Sequence, residues 1–230
     1  MDFPEFLKQS KKYVINLDIR PDRLEKFMLR SKEQGLEVTR FPAIDGITID
    51  KFNIPYPPDN RPNARAPTNY QDMSRGQTGC ALSHLTLMEN CKDINLIFED
   101  DAIFSDQFLP MCNKYFPEVE FGDKCHLVIF GHDQATEYGS PIQVPTWNCH
   151  AYAYDKVFAQ EFIRHIHTYG LFCVDINLIE FMMKYDKYRV ITGRPSTVDL
   201  ERYHIDPSQR RSGGLVYQDT GLGSDIGRGL

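Results

Sequence analysis

Tyr13-Val14-Ile15-Asn16-Leu17 is a short apolar, β-branched run that predicts a buried strand, closed by a turn at Asp18 to Arg20. Pro21 suits the first position of a following helix. Leu24, Phe27 and Met28 recur along one face of that helix, Arg23, Glu25, Lys26 and Arg30 occupy the other, and Gly35 ends it. A second strand is expected over residues 37–41, after which Ala43-Ile44-Asp45-Gly46 turns the chain outward. Residues 47–77 are rich in Pro, Asn, Asp and Arg and lack periodicity, so they form a candidate lid loop. Order is expected again near Gly79, where Ala81, Leu82, Leu85 and Met88 form a helical stripe. The strand Ile94-Asn95-Leu96-Ile97-Phe98 follows and stops at Glu99-Asp100-Asp101.

Further strands are predicted at residues 126–131, 151–154 and 188–192. Phe158, Phe162 and Ile166 mark one helix, and Ile176, Ile179 and Met183 another. Strands and helices alternate throughout, which predicts an α/β fold with a mixed, mostly parallel sheet flanked by helices. The 230 residues read as a single domain, with a core over 1–203 and a polar, glycine-rich tail over 204–230 expected to be mobile.

Composition narrows the class. Hydrophobic residues make up 41% and charged residues 25%, with mean hydropathy −0.44, which excludes a disordered chain or a membrane bundle. A net charge of −6 gives no basic field for nucleic acid or anionic lipid, so no nucleic-acid partner is expected. The six cysteines are widely spaced and read as reduced, mostly buried thiols. Residues 1–12 carry no apolar targeting segment, and no stretch is long and apolar enough to span a bilayer. The expected location is therefore cytoplasmic: free, peripherally at the cytosolic face of a membrane, or in a host cytoplasm if the source is viral.

The acidic triplet is the leading chemical signal. Residues two apart on an extended strand share a face, so Glu99 and Asp101 are expected to present two carboxylates together while Asp100 points elsewhere. Ligands of open α/β sheets sit beyond the strand carboxyl ends, and oxygen ligands there suit a hard divalent ion such as Mn²⁺ or Mg²⁺. A solvated acidic strand end is the plainer alternative.

Four ordered segments carry a resemblance: Tyr13 to Asp18 with Arg20, Asp22 and Arg23; Phe41 to Gly46; Gly79-Cys80-Ala81-Leu82-Ser83-His84; and Leu96 to Ala102. Together they resemble glycosyltransferase family 25, which includes lipooligosaccharide and collagen-modifying galactosyltransferases. The match is strong over residues 12–104 and weaker through His150 to Tyr154 and Val174-Asp175. The resemblance implies a GT-A-like, Rossmann-like fold and a metal at the triplet. It further implies inverting transfer of a hexose, foremost galactose, from a UDP-sugar to a saccharide or hydroxylated acceptor.

Roles follow from that frame. Glu99 and Asp101 become metal ligands, with His204 as a third; an ordinary surface histidine is its alternative. Asp175 is the candidate general base, against a helix N-cap. Asn16 and Asp18 are placed to read a base or ribose, and Arg23 to meet phosphate unless it lies on a solvated helix face. Asp45 is placed to bind ribose hydroxyls or merely to shape its turn, and Ser83, His84 and Asp100 to contact or support the donor. Arg210 and Arg211 are placed to close over a diphosphate, or lie in a solvated tail; Trp147 stacks on a sugar or anchors a loop. A catalytically silent nucleotide-sugar-binding module and a metal-dependent nucleotidyltransferase or phosphohydrolase are the rival functions.

Overall fold

A computed structural model describes residues 1–50, 53–57, 73–132, 141–143, 145, 150–191 and 213–218. The helices are α1 (Phe3–Gln9), α2 (Pro21–Glu33), α3 (Arg75–Glu89), α4 (Phe108–Val119), α5 (Lys156–Tyr169) and α6 (Val174–Met182). The strands are β1 (Lys11–Asn16), β2 (Thr39–Pro42), β3 (Ile94–Glu99), β4 (Ala102–Phe104), β5 (Leu127–His132), β6 (Ala151–Asp155), β7 (Tyr188–Val190), β8 (Gly213–Gly214) and β9 (Val216–Gln218). A 3-10 turn, Gly46–Thr48, follows β2.

The main sheet runs β2-β1-β3-β6-β5-β7, with β8 also paired to β5. Strands β2, β1 and β3 are mutually parallel, β6 runs against both β3 and β5, and β7 is parallel to β5. The sheet is thus mixed and mostly parallel, in keeping with the α/β fold that the alternation of strands and helices predicts. The chain moves from β1 through α2 to β2 on one side, then through α3 to β3 on the other. The carboxyl ends of β1 and β3 therefore flank a topological switch point, where α/β sheets open a crevice.

The pleat sorts β3 between two cores. Leu96 and Phe98 pack with Phe3, Phe6, Phe27, Phe108 and Phe116 of α1, α2 and α4. Ile97 packs with Leu85, Phe158, Leu178 and Tyr152 on the opposite face, under α3, α5 and α6. Each side of the sheet buries its own apolar layer, so the central strands have no polar face.

Several elements differ from the sequence expectation. The inward stripe of α2 is Arg23, Phe27 and Ser31, while Met28 is exposed, because an arginine four residues before the phenylalanine faces the acidic strand ends. Helix α3 begins at Arg75, four residues before Gly79, since Ser74 and Gln77 form a reciprocal capping box. Helix α6 ends at Met182, leaving Met183 exposed. Part of the expected mobile tail is ordered: β8 and β9 pair with β5 and β4, and Leu215, between them, is buried. Most of the expected lid and the rest of that tail, with Trp147, Cys149, His204, Arg210 and Arg211, lie outside the described residues. The other five cysteines are free thiols.

Two glycines let the outward turn lie on α3. A Cβ at Gly79 would sit 2.4 Å from the Ile44 carbonyl oxygen and 2.7 Å from the Gly46 nitrogen, and one at Gly46 only 1.6 Å from the Arg75 oxygen. All of these neighbours are backbone atoms, so relief requires the turn to move. Gly79→Ala is expected to lower stability by about 1–3 kcal/mol in denaturant unfolding. An unchanged midpoint would show that the turn does not rest on α3 this closely.

Candidate functional site

The cleft at the switch point is walled by the outward turn and α3, and floored by Glu99, Asp100 and Asp101. Strand pairing ends at Glu99, so the two-residue alternation does not continue into Asp100 and Asp101, which form a turn. Glu99 keeps the face of Ile97 and meets α3. Asp100 and Asp101 instead swing toward α2, where Arg23 holds both: Nη1 is 3.1 Å from Asp100 Oδ1 and Nη2 is 2.5 Å from Asp101 Oδ2. The expectation that Asp100 points away from its neighbours is corrected here, because all three carboxylates border one cleft.

Arg23 is accordingly buried among carboxylates and does not lie on a solvated helix face. Asn16 is buried as well, and its side chain is fully engaged. Its amide donates to Asp100 Oδ2 at 2.7 Å and to the Arg20 carbonyl at 2.9 Å, and its oxygen accepts from Arg40 Nε at 3.0 Å. Arg40 also pairs with the exposed Asp18. These contacts orient Asp100 and the end of β1.

Asp101 has the least compensated carboxylate. Oδ2 accepts from Arg23 and, at 3.2 Å, from Gln218 Nε2, whereas Oδ1 is buried with no hydrogen-bond partner among the described residues. Burial, then the Glu99 charge, pushes this carboxyl up to about 7 against the pull of Arg23. Asp100 is also raised, chiefly by burial.

On the α3 side, His84 is fully buried, with Nδ1 2.6 Å from the Tyr152 hydroxyl and Nε2 3.3 Å from Glu99 Oε1. Burial acts to raise Glu99, but the His84 hydrogen bond, together with the electrostatic pull of His84, His150 and Arg23, outweighs it and holds the carboxyl below its ordinary value. Cys80 Sγ lies 3.9 Å from the same Glu99 oxygen, and burial pushes its thiol well up. Ser83 donates to the Gly79 carbonyl at 2.7 Å and accepts from the Ile44 amide at 2.8 Å, fastening the turn to α3. Asp45 caps the 3-10 turn through the Ile47 amide and borders the cleft.

Asp175 sits in the first turn of α6, where its Oδ1 accepts from the Ile176 amide at 2.9 Å; the N-cap itself is Cys173. It is half-buried, and burial followed by the Glu99 charge raises its carboxyl, which places it within electrostatic reach of the triplet. Sequence reasoning missed Arg40, Tyr152 and Gln218. Gln218 reaches Asp101 because β4, immediately after the triplet, pairs with β9.

The residues present fit a hard divalent ion: Asp100 and Asp101 share one guanidinium, Glu99 stands beside them in the cleft, and a buried carboxylate oxygen of Asp101 lacks a donor among the described residues. Asp101, with Glu99, would hold it.

A mixed α/β sheet with a carboxylate-lined crevice at its switch point defines a ligand-binding α/β domain. A family profile described as glycosyltransferase family 25 (LPS biosynthesis protein) matches residues 9–140, more than half of the chain. The chain belongs to that family.

The segment is similar to a procollagen lysyl hydroxylase and glycosyltransferase of Acanthamoeba polyphaga mimivirus, 31% identical over 131 residues, covering 49% of this chain and 14% of that protein. It is also similar to mouse procollagen galactosyltransferase 2, at 27% identity over 123 residues, covering 51% of this chain and 20% of the relative. The chain thus spans a quarter or less of the length of these curated relatives. Among solved structures, a glycosyltransferase involved in glycosylation of the major capsid of PBCV-1 aligns over 94% of both chains, at 9% identity and a TM-score of 0.43. No helix among the described residues is long and apolar enough to cross a membrane.

Proposed function

We propose that this domain is a metal-dependent inverting glycosyltransferase that moves a hexose, galactose, from its UDP-sugar to a saccharide or hydroxylated acceptor. The observation that carries the reading is the buried, unpartnered Asp101 Oδ1 beside Glu99 in the switch-point cleft. Membership of family 25, and the galactosyltransferase named among its relatives, support the sugar and the reaction.

Glu99 and Asp101, with His204 as a third ligand, would hold Mn²⁺ or Mg²⁺, and the ion would supply Lewis-acid stabilisation of the departing diphosphate. The protein's own residues do the rest. Asp175 accepts the proton of the acceptor hydroxyl as that oxygen bonds the anomeric carbon and the carbon–phosphate-oxygen bond breaks, releasing UDP. Its raised carboxyl suits the role, since a base works best with a pKa close to the operating pH. Arg23 and Asn16 fix the acid pair, and Ser83 and Asp45 fix the turn that walls the cleft.

UDP release from a panel of UDP-sugars, with and without Mn²⁺, tests the function. Metal-dependent release, greatest from UDP-galactose, is expected. Asp175→Asn is expected to lower turnover roughly 10²–10⁴-fold while leaving UDP affinity unchanged. An unchanged rate would remove the base assignment. Release of phosphate or pyrophosphate in place of UDP would overturn the transferase reading.

A further inference from the structure

One cluster in the cleft sets two softer donors beside a carboxylate of the hard-ion site. Cys80, His84 and Glu99 offer a thiol, an imidazole and a carboxylate whose ligand atoms all lie within 4.8 Å of one another. Cys80 and His84 are four residues apart on α3, so they share one helix face. The last pleat of β3 brings Glu99 against that face.

The spacing suits a small tetrahedral ion. With bonds of about 2.0–2.2 Å to nitrogen and oxygen and about 2.3 Å to sulfur, tetrahedral zinc ligands stand about 3.3–3.7 Å apart. The observed separations are 3.3 Å from His84 Nε2 to Glu99 Oε1 and 3.9 Å from Cys80 Sγ to that oxygen. The far nitrogen of His84 is already engaged by the Tyr152 hydroxyl at 2.6 Å, the kind of outer contact that fixes the ring of a ligand histidine. A thiolate and a carboxylate also cancel the charge of a divalent ion, so the half-buried site is neutral when filled.

We propose that Cys80, His84 and Glu99 form a site for a thiophilic divalent ion of the zinc class. Sulfur and imidazole ligands favour such an ion, whereas Mn²⁺ and Mg²⁺ take oxygen. On binding, the Cys80 S–H proton passes to solvent and the thiolate becomes a ligand, His84 binds through neutral Nε2, and Glu99 binds through a carboxylate oxygen. The fourth position faces the cleft, which all three residues border, and is filled by water. Resting on the transfer reading above, Glu99 is shared between the two ions, so Zn²⁺ displaces it from the manganese site and inhibits transfer.

Titration of the reduced protein with Co²⁺, a spectroscopic substitute for Zn²⁺, tests the site without reference to turnover. One equivalent is expected to give a thiolate-to-cobalt charge-transfer band with tetrahedral visible bands, both abolished by added Zn²⁺. Cys80→Ser should remove the charge-transfer band, and Tyr152→Phe should weaken cobalt binding about 10–100-fold. Asp101→Asn should leave the band intact, since Asp101 is not a ligand of this ion. A wild-type protein without a thiolate band, or a Cys80→Ser protein that keeps it, overturns the proposal. A protein that shows the band yet releases UDP from no UDP-sugar keeps the zinc site and loses the transferase reading.

Discussion

Asp101→Asn is expected to cost roughly 10³-fold or more in sugar transfer, the scale of several kcal/mol of lost charge stabilisation, while melting no lower than the wild type at pH 8. The two halves share one cause. Burial and neighbouring charges push the Asp101 carboxyl up to about 7, so the folded protein binds this proton more tightly than the unfolded chain does. The stability that this proton contributes is complete below the ordinary aspartate pKa near 4 and is lost as pH rises through about 7. Asparagine carries no such penalty. The melting difference between variant and wild type should therefore move in favour of the variant between pH 5 and pH 8. A variant that melts far below the wild type at pH 8 would show that Asp101 is held for structure and not for a ligand.

Arg23→Met is expected to be the most destabilising single change in the cleft. Its guanidinium is the cation at hydrogen-bonding distance from both Asp100 and Asp101, and all three residues are buried. Removing one partner from a buried ionic cluster costs about 3–5 kcal/mol, which for a chain of this size lowers Tm by roughly 10 °C. The loss should be largest at high pH and shrink on acidification, because both carboxyls, already raised by burial, rise further without the arginine and take up protons. The triple variant with Asp100→Asn and Asp101→Asn should recover most of the stability. Arg23→Met with a wild-type melting temperature would mean that the cluster is more hydrated than its burial indicates.

The sequence made the β1-α2-β2 opening, the strand ending in acid and the switch-point location readable, because each rests on local hydrophobic period and strand order. Two of the resembling segments, Ala43 to Gly46 and Gly79 to His84, pack on one another through glycine contacts, a closeness that no local pattern encodes. The partition of the triplet was misread because alternation holds only while a strand is paired, and pairing stops at Glu99. Helix α4 was overlooked although Phe108, Cys112, Phe116 and Val119 keep helical spacing, an internal Pro117 having masked the pattern. The Ser74–Gln77 capping box was a legible signal for the start of α3. By contrast, the contact of Gln218 with Asp101 arises from pairing between strands more than a hundred residues apart, and nothing in the polar tail announces it.

Calorimetric titration of UDP into the wild-type protein and Asp101→Asn, each with and without Mn²⁺, tests the central claim most directly. Wild-type binding that depends on Mn²⁺, and loss of that dependence in the variant, is the predicted result. UDP binding of equal strength with and without the metal, or unaltered in Asp101→Asn, would contradict an ion-assisted nucleotide-sugar site at the end of β3.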